Sequence, residues 1–519
     1  MFPDRPSDEI VFLKAIAKKL NMEYVDLEMT TADPIALKFV NEKLARMHKI
    51  IPINANENEL VIAISDPTDL SVLEDIKIIS GRRVVPVLAP AQEIQAKIEE
   101  FYQTSESAEQ AIEDFRNETS DENVKELTDA STVDVDNAPI VRIVNSILTD
   151  AIKEHASDIH IEPFEKFIRV RIRIDGDLKE IMQLPKNTLS GIVTRIKIMS
   201  DLNIAETKRP QDGRVRLRSS EQTVDMRISM LPTVFGEKTV IRLLNCEAGV
   251  MDRSQLGLSP YNAAQLDKLM HISEGIILVT GPTGSGKTTT LYSLLKDLNT
   301  PGRNIITLED PVEYQMYGIN QVQVNTKVGM TFASGLRSIL RQDPDVIMLG
   351  EIRDEETAEI AIRSAVTGHI VLSTLHTNDT ASSVTRLIDM GIQNYMVTSA
   401  VAGIVAQRLV KRICPKCAEA YEASEQECGI LGVERATLSR GRGCSYCRNT
   451  GYKGRIAIHE ILVLTPPLKS MVNHGCTADE LKEAACKSGM QTLAYSARNL
   501  VLEGITTVAE MERATYVLE

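Results

Sequence analysis

The sequence lacks the long apolar runs that membrane-spanning proteins carry. No stretch reaches about 18 consecutive apolar residues, and the first ten residues, MFPDRPSDEI, are acidic where a secretory signal would be basic. We therefore expect a protein that neither spans a membrane nor is exported. Its 519 residues, 43% of them hydrophobic and 25% charged, are typical of a globular protein of about three domains.

The chain also lacks an excess of basic residues. The formal charge is −14, and residues 1–136 contain 28 acidic and 14 basic side chains, which leaves 44 of each sign in the remainder. Because binding to nucleic acid depends on neutralising phosphates, we expect no nucleic-acid partner. Cysteines are few, and four of the eight form two CxxC pairs, which favours a reducing compartment and metal binding over a disulfide scaffold.

Changes in composition and periodicity divide the chain into four parts. Residues 1–103 mix amphipathic helices with short strands and predict a small α/β domain. Residues 104–137 contain eleven acidic and two basic residues and predict a flexible linker. A further domain covers 138–248. In residues 257–519 apolar strands alternate with helices and end in polar residues, which predicts a parallel sheet with functional residues at the strand ends.

Arginines recur in the strands of the 138–248 domain. In FIRVRIRI three of them alternate with apolar residues and share one face of the predicted strand. Three more lie near turns and strand edges further along: Arg214, Arg227 and Arg242. Since guanidinium groups recognise phosphate well, these arginines are candidates for reaching a nucleotide, although a solvated sheet face is an equally good interpretation of the alternating strand.

The stretch GPTGSGKTTT follows a short apolar strand and leads into a helix, and it predicts a phosphate-binding loop. It comprises Gly281, Pro282, Thr283, Gly284, Ser285, Gly286, Lys287, Thr288 and Thr289. Glycines allow backbone N–H groups to face the phosphates, Lys287 supplies a positive charge and Thr288 offers its hydroxyl to Mg²⁺. The alternative is a glycine-rich turn with a surface lysine, and the flanking strand and helix argue against it.

Carboxylates that follow two of the later apolar strands could complete a site for phosphoryl transfer to water. Glu351 ends VIMLGE, where it could polarise the attacking water, and Gly350 replaces the Asp usual before it. Glu309, with Asp310 and Glu313, lies in LEDPVEY and could share the Mg²⁺ or water role. The alternative for this second cluster is a turn stabilised by Asp310.

Two histidines flank the apolar strand IVLSTL. His369 precedes it and His376 follows it, so we expect them at its two ends. A lone histidine is often structural, but the surrounding TGHIVLSTLHTND is rich in side chains suited to sensing a phosphate. We therefore favour a functional role for both.

Two CxxC pairs, CPKC and CSYC, predict a metal site within residues 411–458. They are separated by 26 residues and supply Cys414, Cys417, Cys444 and Cys447. Four thiolates can close a tetrahedral site, for which Zn²⁺ is the default ion and Fe the alternative. Four buried free thiols is the remaining possibility.

Residues 138–519 resemble the secretion ATPases that power type II secretion and type IV pilus assembly. The phosphate loop, TLEDPVEY, RQDPDVIMLGEIRD with its glycine, and the paired-histidine box occur together and in order. The resemblance implies a hexameric RecA-like ATPase with a PAS-like amino-terminal half, a zinc-knuckle insertion and a separate small α/β domain of the MshEN kind. Its expected cofactors are ATP, Mg²⁺ and Zn²⁺.

The resemblance also implies roles for single residues. Glu351 is expected to be the water-polarising carboxylate, and Glu309 is expected to be its partner in holding the metal or the water. The arginines at 214, 227 and 242 are expected to close over ATP. Two arginines in GLRSILRQDPD correspond to arginines near the nucleotide in the family: Arg337 and Arg341.

Partners follow from the same resemblance. The first domain is expected to dock on a membrane-anchored cytoplasmic adaptor and an inner-membrane platform protein, at the inner face of the cell membrane. Some relatives bind cyclic di-GMP there through RLG motifs, and the absence of RLG from this chain argues against that activity. The tetracysteine element favours an extension motor over a retraction motor. Two alternatives remain, a translocase for DNA uptake or conjugation and a nucleotide-gated scaffold with little turnover.

Overall fold

The computed structural model describes residues 139–218, 223–245 and 250–515, together with most of residues 13–98. The acidic segment 104–137 lies outside these described residues. The chain divides into two compact units. The first comprises Met1–Asn245, Cys414–Cys417 and Arg442–Gly451, and the second comprises Cys246–Ile413, Ala418–Gly441 and Tyr452–Glu519.

The strands and helices of the described residues are numbered here in chain order. The strands are β1 (Glu23–Tyr24), β2 (Ile50–Ala55), β3 (Glu59–Ile64), β4 (Arg83–Leu88), β5 (Asp158–Pro163), β6 (Phe167–Ile174), β7 (Asp177–Pro185), β8 (Gln211–Arg218), β9 (Thr223–Thr233), β10 (Gly236–Asn245), β11 (Gly275–Thr280), β12 (Ile305–Glu309), β13 (Asn320–Gln323), β14 (Val346–Leu349), β15 (Ile370–Leu375), β16 (Val401–Ile413), β17 (Ala418–Glu422), β18 (Thr437–Gly441) and β19 (Tyr452–Val463). The helices are α1 (Glu42–His48), α2 (Leu70–Ser80), α3 (Pro139–Lys153), α4 (Leu189–Met199), α5 (Pro260–Met270), α6 (Lys287–Leu298), α7 (Phe332–Ile339), α8 (Glu355–Val366), α9 (Thr380–Asp389), α10 (Asn394–Ala400), α11 (Glu425–Leu431), α12 (Pro466–Asn473), α13 (Ala478–Lys487), α14 (Leu493–Leu502) and α15 (Val508–Thr515).

Four strands near the amino terminus form a small mixed sheet in the order β1-β4-β3-β2. β2 and β3 pair antiparallel, whereas β3 and β4 pair parallel and are connected through α2. Their apolar side chains form a core that includes Leu60, Ile62, Ile76 and Leu88. The separate small α/β domain predicted from the sequence is therefore confirmed.

A six-stranded antiparallel sheet follows, in the order β7-β6-β5-β10-β9-β8. Helix α3 buries residues at helical spacing, among them Ile143 and Ile147, in the core that this sheet forms with α3 and α4. In β6 the buried side chains are Ile168, Val170 and Ile172. Successive side chains of a strand point to opposite faces, so the arginines of β6 lie on the face away from this core, as predicted.

A seven-stranded sheet forms the second unit, in the order β13-β12-β14-β15-β11-β16-β19. All pairs are parallel except β16 with β19. Every residue of β11, β14 and β15 is buried, which is typical of strands covered by helices on both faces. The predicted parallel sheet is confirmed. Among the described residues, no helix is both long and apolar enough to cross a bilayer.

The tetracysteine element is divided between the two units. Its β17–β18 hairpin groups with the second unit, whereas the two loops that carry the cysteines group with the first. In the first unit Arg448, next to Cys447, forms an ion pair with Glu154, the residue that follows α3. The prediction that the whole element belongs to the ATPase domain stays a prediction.

Candidate nucleotide site and metal centre

The phosphate loop connects the carboxyl end of β11 to the start of α6, as the sequence predicts. Gly286 adopts φ +88°, a conformation that favours glycine, and Lys287 begins the helix directly after it. At Gly281 a side chain is also excluded by space, since a Cβ would lie 2.3 Å from the carbonyl oxygen of Gln407. The loop therefore presents backbone at a helix N-terminus, the arrangement that binds phosphate.

Lys287 and Thr288 have the positions that their expected roles require. The Lys287 ammonium donates hydrogen bonds to the carbonyls of Gly281, at 2.7 Å, and Pro282, at 3.1 Å, so it already spans the loop. Burial lowers the pKa of Lys287, and the nearby Glu351 carboxylate opposes that effect. The side chain of Thr288 is exposed at the start of α6 and is accessible to a hydrated cation.

Glu351 lies two residues beyond β14 and contacts an arginine and a histidine side chain. Its Oε1 is 2.5 Å from Nη2 of Arg353, and its Oε2 is 3.4 Å from Nε2 of His376. The hydrogen bond to Glu351 raises the pKa of Arg353. Lys287 is also close enough for the two charges to interact. The structure thus brings Glu351, His376 and the phosphate loop to one edge of the sheet.

His369 and His376 lie at the two ends of β15. His369 immediately precedes β15, and its Nδ1 lies 2.9 Å from the carbonyl oxygen of Ser364. Since seven extended residue steps span about 23 Å, His369 and His376 lie at opposite edges of the sheet. The prediction that they flank the strand is confirmed. Within one chain His369 lies away from His376, and its predicted catalytic role stays a prediction.

Glu309 ends β12 in a buried hydrogen-bond network. It accepts hydrogen bonds from the Tyr292 hydroxyl at 2.5 Å, the Thr307 hydroxyl at 2.6 Å and Gln321 Nε2 at 3.2 Å. Burial raises the pKa of Tyr292, and the Glu309 charge adds to that effect. Tyr292 lies one helical turn after Thr288 on α6, so this network links the Glu309 carboxylate to the helix that begins at the phosphate loop.

The other acidic residues of LEDPVEY are less closely tied to this network. Asp310 is exposed, and the Glu313 backbone N–H donates to the Tyr292 hydroxyl at 3.2 Å. Arg337 pairs with Glu356 at 2.5 Å, and Arg341 donates to the carbonyl of Arg337 at 2.8 Å. Among the described residues, neither arginine forms a hydrogen bond or ion pair with the phosphate loop, and their predicted role stays a prediction.

The three arginines predicted to close over ATP lie side by side on the six-stranded sheet. Arg214 of β8 pairs in register with Arg227 of β9, which pairs with Arg242 of β10. Directly paired residues share a face, so the three form one row, here called the arginine row. Asp225 lies 2.8 Å from Nη2 of Arg214, and Asp158 lies 3.2 Å from Nε of Arg242. The register therefore brings together residues that the sequence separates.

The four paired cysteines converge in a buried cluster. Their sulfurs lie within 4.8 Å of one another, with Cys414 to Cys444 at 3.8 Å and Cys417 to Cys447 at 3.7 Å. Tetrahedral zinc thiolate with bonds of about 2.3 Å requires sulfurs about 3.8 Å apart, so the spacing fits. Burial raises the pKa of Cys447, but N–H donors from Cys444 and Gly451 outweigh it and lower the value to about 7.

Sequence reasoning missed three residues of this edge: Tyr292, Arg353 and Gln407. Arg353 is two positions from Glu351, and its place in GEIRD was the available signal. Tyr292 contacts Glu309, which lies 17 positions away, and Gln407 contacts Ser285 of the phosphate loop, which lies 122 positions away. No local sequence pattern marks either residue.

Comparison with known proteins agrees with this geometry. The profile of the family described as Type II/IV secretion system protein matches residues 133–513, and that of the MshEN domain matches residues 20–108. Type II secretion system protein E of Pseudomonas aeruginosa is 45% identical over 468 residues, 88% of this chain and 93% of that protein. Type IV pilus assembly ATPase PilB of Myxococcus xanthus is 42% identical over 511 residues, 96% of this chain and 89% of that protein.

Solved structures show the same fold. The pilus retraction motor PilT with bound ADP matches at a TM-score of 0.50 and 27% identity, covering 72% of this chain and 96% of PilT. The Legionella pneumophila ATPase DotB matches at a TM-score of 0.54 and 21% identity, covering 75% of this chain and 98% of DotB. The chain therefore belongs to the Type II/IV secretion system protein family and is a P-loop ATPase of that family.

Proposed function

We propose that the chain is a Mg²⁺-dependent motor ATPase that, as a homo-hexamer, powers the assembly of pilin-like subunits into a fibre for a type IV pilus or a type II secretion system. One observation carries this proposal. The phosphate loop, Glu351 and His376 meet at the carboxyl edge of one parallel sheet, where open α/β sheets bind their ligands. Similarity to proteins named for both systems supports the cellular role.

The loop and α6 bind the nucleotide. Backbone N–H groups between Gly281 and Lys287 receive the phosphates, and the Lys287 ammonium moves from the loop carbonyls to the phosphate oxygens. The Thr288 hydroxyl is the ligand this chain offers to Mg²⁺, and Glu309 is its candidate partner, held by Tyr292. Mg²⁺ supplies charge neutralisation between the phosphates.

Hydrolysis requires an oriented water and positive charge at the γ-phosphate. Glu351 is the candidate to orient and deprotonate that water, and His376 and Arg353 fix its carboxylate from two sides. The arginine row places three guanidinium groups side by side, and Arg214 and Arg242 of the row contact Asp225 and Asp158. We assign the row to stabilising the charge that develops on the γ-phosphate.

The tetracysteine cluster is proposed to hold one structural Zn²⁺. All four positions are cysteines and no position is left for water, which is typical of structural rather than catalytic zinc. Hydrogen bonds lower the pKa of Cys447 and favour its thiolate form, whereas burial raises the pKa of Cys414 and Cys417, so metal binding would displace protons from those two thiols.

The partners of the chain belong to the same proposal. The MshEN-type domain of residues 20–108 would dock the motor on a membrane-anchored adaptor and a platform protein at the inner face of the cell membrane. Native mass spectrometry with Mg²⁺ and an ATP analogue should give six copies. A monomer at all nucleotide concentrations would contradict the hexamer while leaving the ATPase proposal in place.

Two substitutions test the nucleotide site of the full-length protein. Lys287→Ala should abolish tight ATP binding. Glu351→Gln should bind ATP like the parent and hydrolyse it at least about 100-fold more slowly, the scale of general-base loss. Titration with a fluorescent ATP analogue and a phosphate-release assay separate the two effects.

Matched controls lie on the neighbouring helices. Lys296→Ala removes an exposed lysine of α6, and Glu359→Gln an exposed carboxylate of α8, and neither should change binding or turnover. Parental turnover in Glu351→Gln would reject this residue as the water-polarising carboxylate. Turnover stimulated by DNA and suppressed by salt would instead favour a DNA translocase.

The metal proposal has its own test. Protein purified under reducing conditions should contain one zinc per chain by elemental analysis, and Cys444→Ser should lose the metal and unfold at a lower temperature. Cys486→Ser, at an exposed thiol outside the cluster, is the control. Iron in place of zinc would correct the identity of the metal, and the absence of both would reject the site.

A further inference from the structure

Gln407 is a buried polar residue that lies against the phosphate loop. It belongs to β16, which pairs with β11 through Thr280 and Ala406, so it extends one residue beyond the end of the loop strand. Its side chain is only 3% exposed, and glutamine is seldom buried so fully without partners. Nothing assigned so far to the ATPase reaction uses this residue.

Both ends of the Gln407 amide are hydrogen bonded within the loop and its helix. Nε2 donates to the carbonyl of Ser285 at 2.9 Å, and Oε1 accepts from the Thr290 hydroxyl at 2.6 Å. A carbonyl can only accept, so the amide nitrogen must face Ser285, and the Thr290 hydroxyl fits the remaining oxygen. The amide therefore has one orientation that satisfies every group.

The bond to Ser285 determines where the next N–H points. A trans peptide is planar, so the carbonyl of Ser285 and the N–H of Gly286 point in opposite directions. A donor that holds the carbonyl on the β16 side directs the N–H of Gly286 to the opposite side of the peptide, away from Gln407. The contact is close, because a Cβ on Gly286 would lie 2.8 Å from Nε2 of Gln407.

We propose that Gln407 is a positioning residue for nucleotide phosphate, and that it acts by fixing the Ser285–Gly286 peptide with its N–H turned into the loop. The proposal deepens the ATPase function proposed above and rests on it. Because loop N–H groups bind the phosphates that ATP and ADP share, Gln407 supports both nucleotides equally. Thr290 supports Gln407 by fixing its amide.

The main test is Gln407→Met in the full-length protein, which keeps the length of the side chain and removes both hydrogen bonds. The dissociation constants of ATP and of ADP should rise together by about tenfold, the equivalent of one buried hydrogen bond. Turnover at saturating ATP should stay within about twofold of the parent. A loss confined to ATP, or affinities equal to those of the parent, would overturn the proposal.

Thr290→Val gives a second variant that retains Gln407. It should weaken both nucleotides in the same direction, and the double variant should be no weaker than Gln407→Met alone, because the two residues act through one peptide. Additive losses would contradict this coupling.

Thr506→Val is the matched control. The buried Thr506 hydroxyl donates to the carbonyl of Lys411, four residues beyond Gln407 on β16, at 2.7 Å. The control should lower the unfolding temperature without changing nucleotide affinity. Equal weakening of nucleotide binding in Thr506→Val would show that general loosening of β16, not the Gln407 amide, is responsible. If the parent itself binds no ATP, the proposed ATPase function fails before this inference is tested.

Discussion

The six-stranded and seven-stranded sheets collect functional residues in two different ways. In the seven-stranded sheet the parallel strands end at one edge, where Glu309 is the last residue of β12, Glu351 lies two residues beyond β14 and His376 directly follows β15. In the six-stranded sheet neighbouring strands run in opposite directions, and the arginine row forms on a face, through register. Parallel strands bring the residues at their carboxyl ends together at one edge of the sheet, whereas antiparallel strands bring residues together on one face through their register.

The two sheets also differ in how they accommodate charge. On the antiparallel sheet Glu162 receives Arg171 at 2.9 Å, Lys238 at 2.9 Å and Arg169 at 3.1 Å. Burial would raise the pKa of Glu162, but the hydrogen bonds from Arg171 and Lys238 outweigh it and hold the pKa at about 2. In the parallel sheet the buried His459 has no hydrogen-bond partner for Nε2 among the described residues. The six-stranded sheet thus buries the charged Glu162 together with cationic partners, whereas the seven-stranded sheet buries His459 as a neutral imidazole.

The largest effect is expected at the arginine row. Arg214→Ala should lower turnover by about 100-fold or more, because arginines that stabilise the γ-phosphate contribute at least that much. ATP affinity should change by less than tenfold, since the phosphate loop is intact. Phosphate release and equilibrium titration measure the two quantities separately.

Arg216→Ala is the matched control for the row. Arg216 is exposed on the same face of β8, two residues further along and outside the row. The Arg216→Ala variant should hydrolyse ATP at close to the parental rate. Equal losses in the two variants would show that the total charge of the face matters and that the register does not.

The next effect concerns stability. Glu162→Gln leaves three clustered cations without their carboxylate, and we expect a loss on the order of 3 kcal/mol for the unit that contains the six-stranded sheet. Hydrogen exchange should rise in β5, β6 and β10 and stay unchanged in β11 to β16. Glu180→Gln, an exposed carboxylate of β7 that accepts from Gln183, is the control and should cost little. Uniform destabilisation of both units would break the comparison.

Acid should affect the two units in different pH ranges. Burial lowers the pKa of His459 to about 4, below the ordinary value of 6.5, so the unfolded chain binds the proton first. Stability is then complete above about pH 6.5 and falls by about 1.4 kcal/mol per pH unit towards pH 4. For Glu162 the corresponding loss begins near pH 4.5 and continues to about pH 2.

The seven-stranded unit should therefore open first on acidification. Hydrogen exchange of the peptides that contain β16 and β19, compared at pH 7 and pH 5, measures this order. His459→Leu should flatten the dependence, whereas His271→Leu, at an exposed histidine, should not. If the β5 and β6 peptides opened first, the assignment of acid sensitivity to His459 would be rejected.

The sequence was most informative where a site is local. Patterns a few residues long predict the phosphate loop and the alternating arginines of β6. They also predict the strand that ends at Glu309 and the strand that ends shortly before Glu351. Register and tertiary contact were not accessible in this way. Gln407 meets Ser285 across 122 positions, and the arginine row depends on the pairing of three strands. The position of His369 at the start of β15 was predicted locally, but its motif does not show which groups meet that end of the strand.

The smallest effect separates the two histidines of β15. His376 Nε2 lies 3.4 Å from Glu351, so His376→Ala should lower turnover by about tenfold with little change in ATP affinity. His376→Gln, which can return a nitrogen to the same place, should recover part of the loss. His369→Ala should stay within about twofold, because His369 contacts Ser364 at the opposite edge of the sheet. Equal losses from both alanine variants in the assembled protein would mean that His369 reaches a nucleotide held by another copy of the chain. Hexamers mixed from His369→Ala and Glu351→Gln chains would then distinguish the two cases. Recovered turnover would mean that the two residues of one site come from different copies, and absent turnover would mean that they come from the same copy.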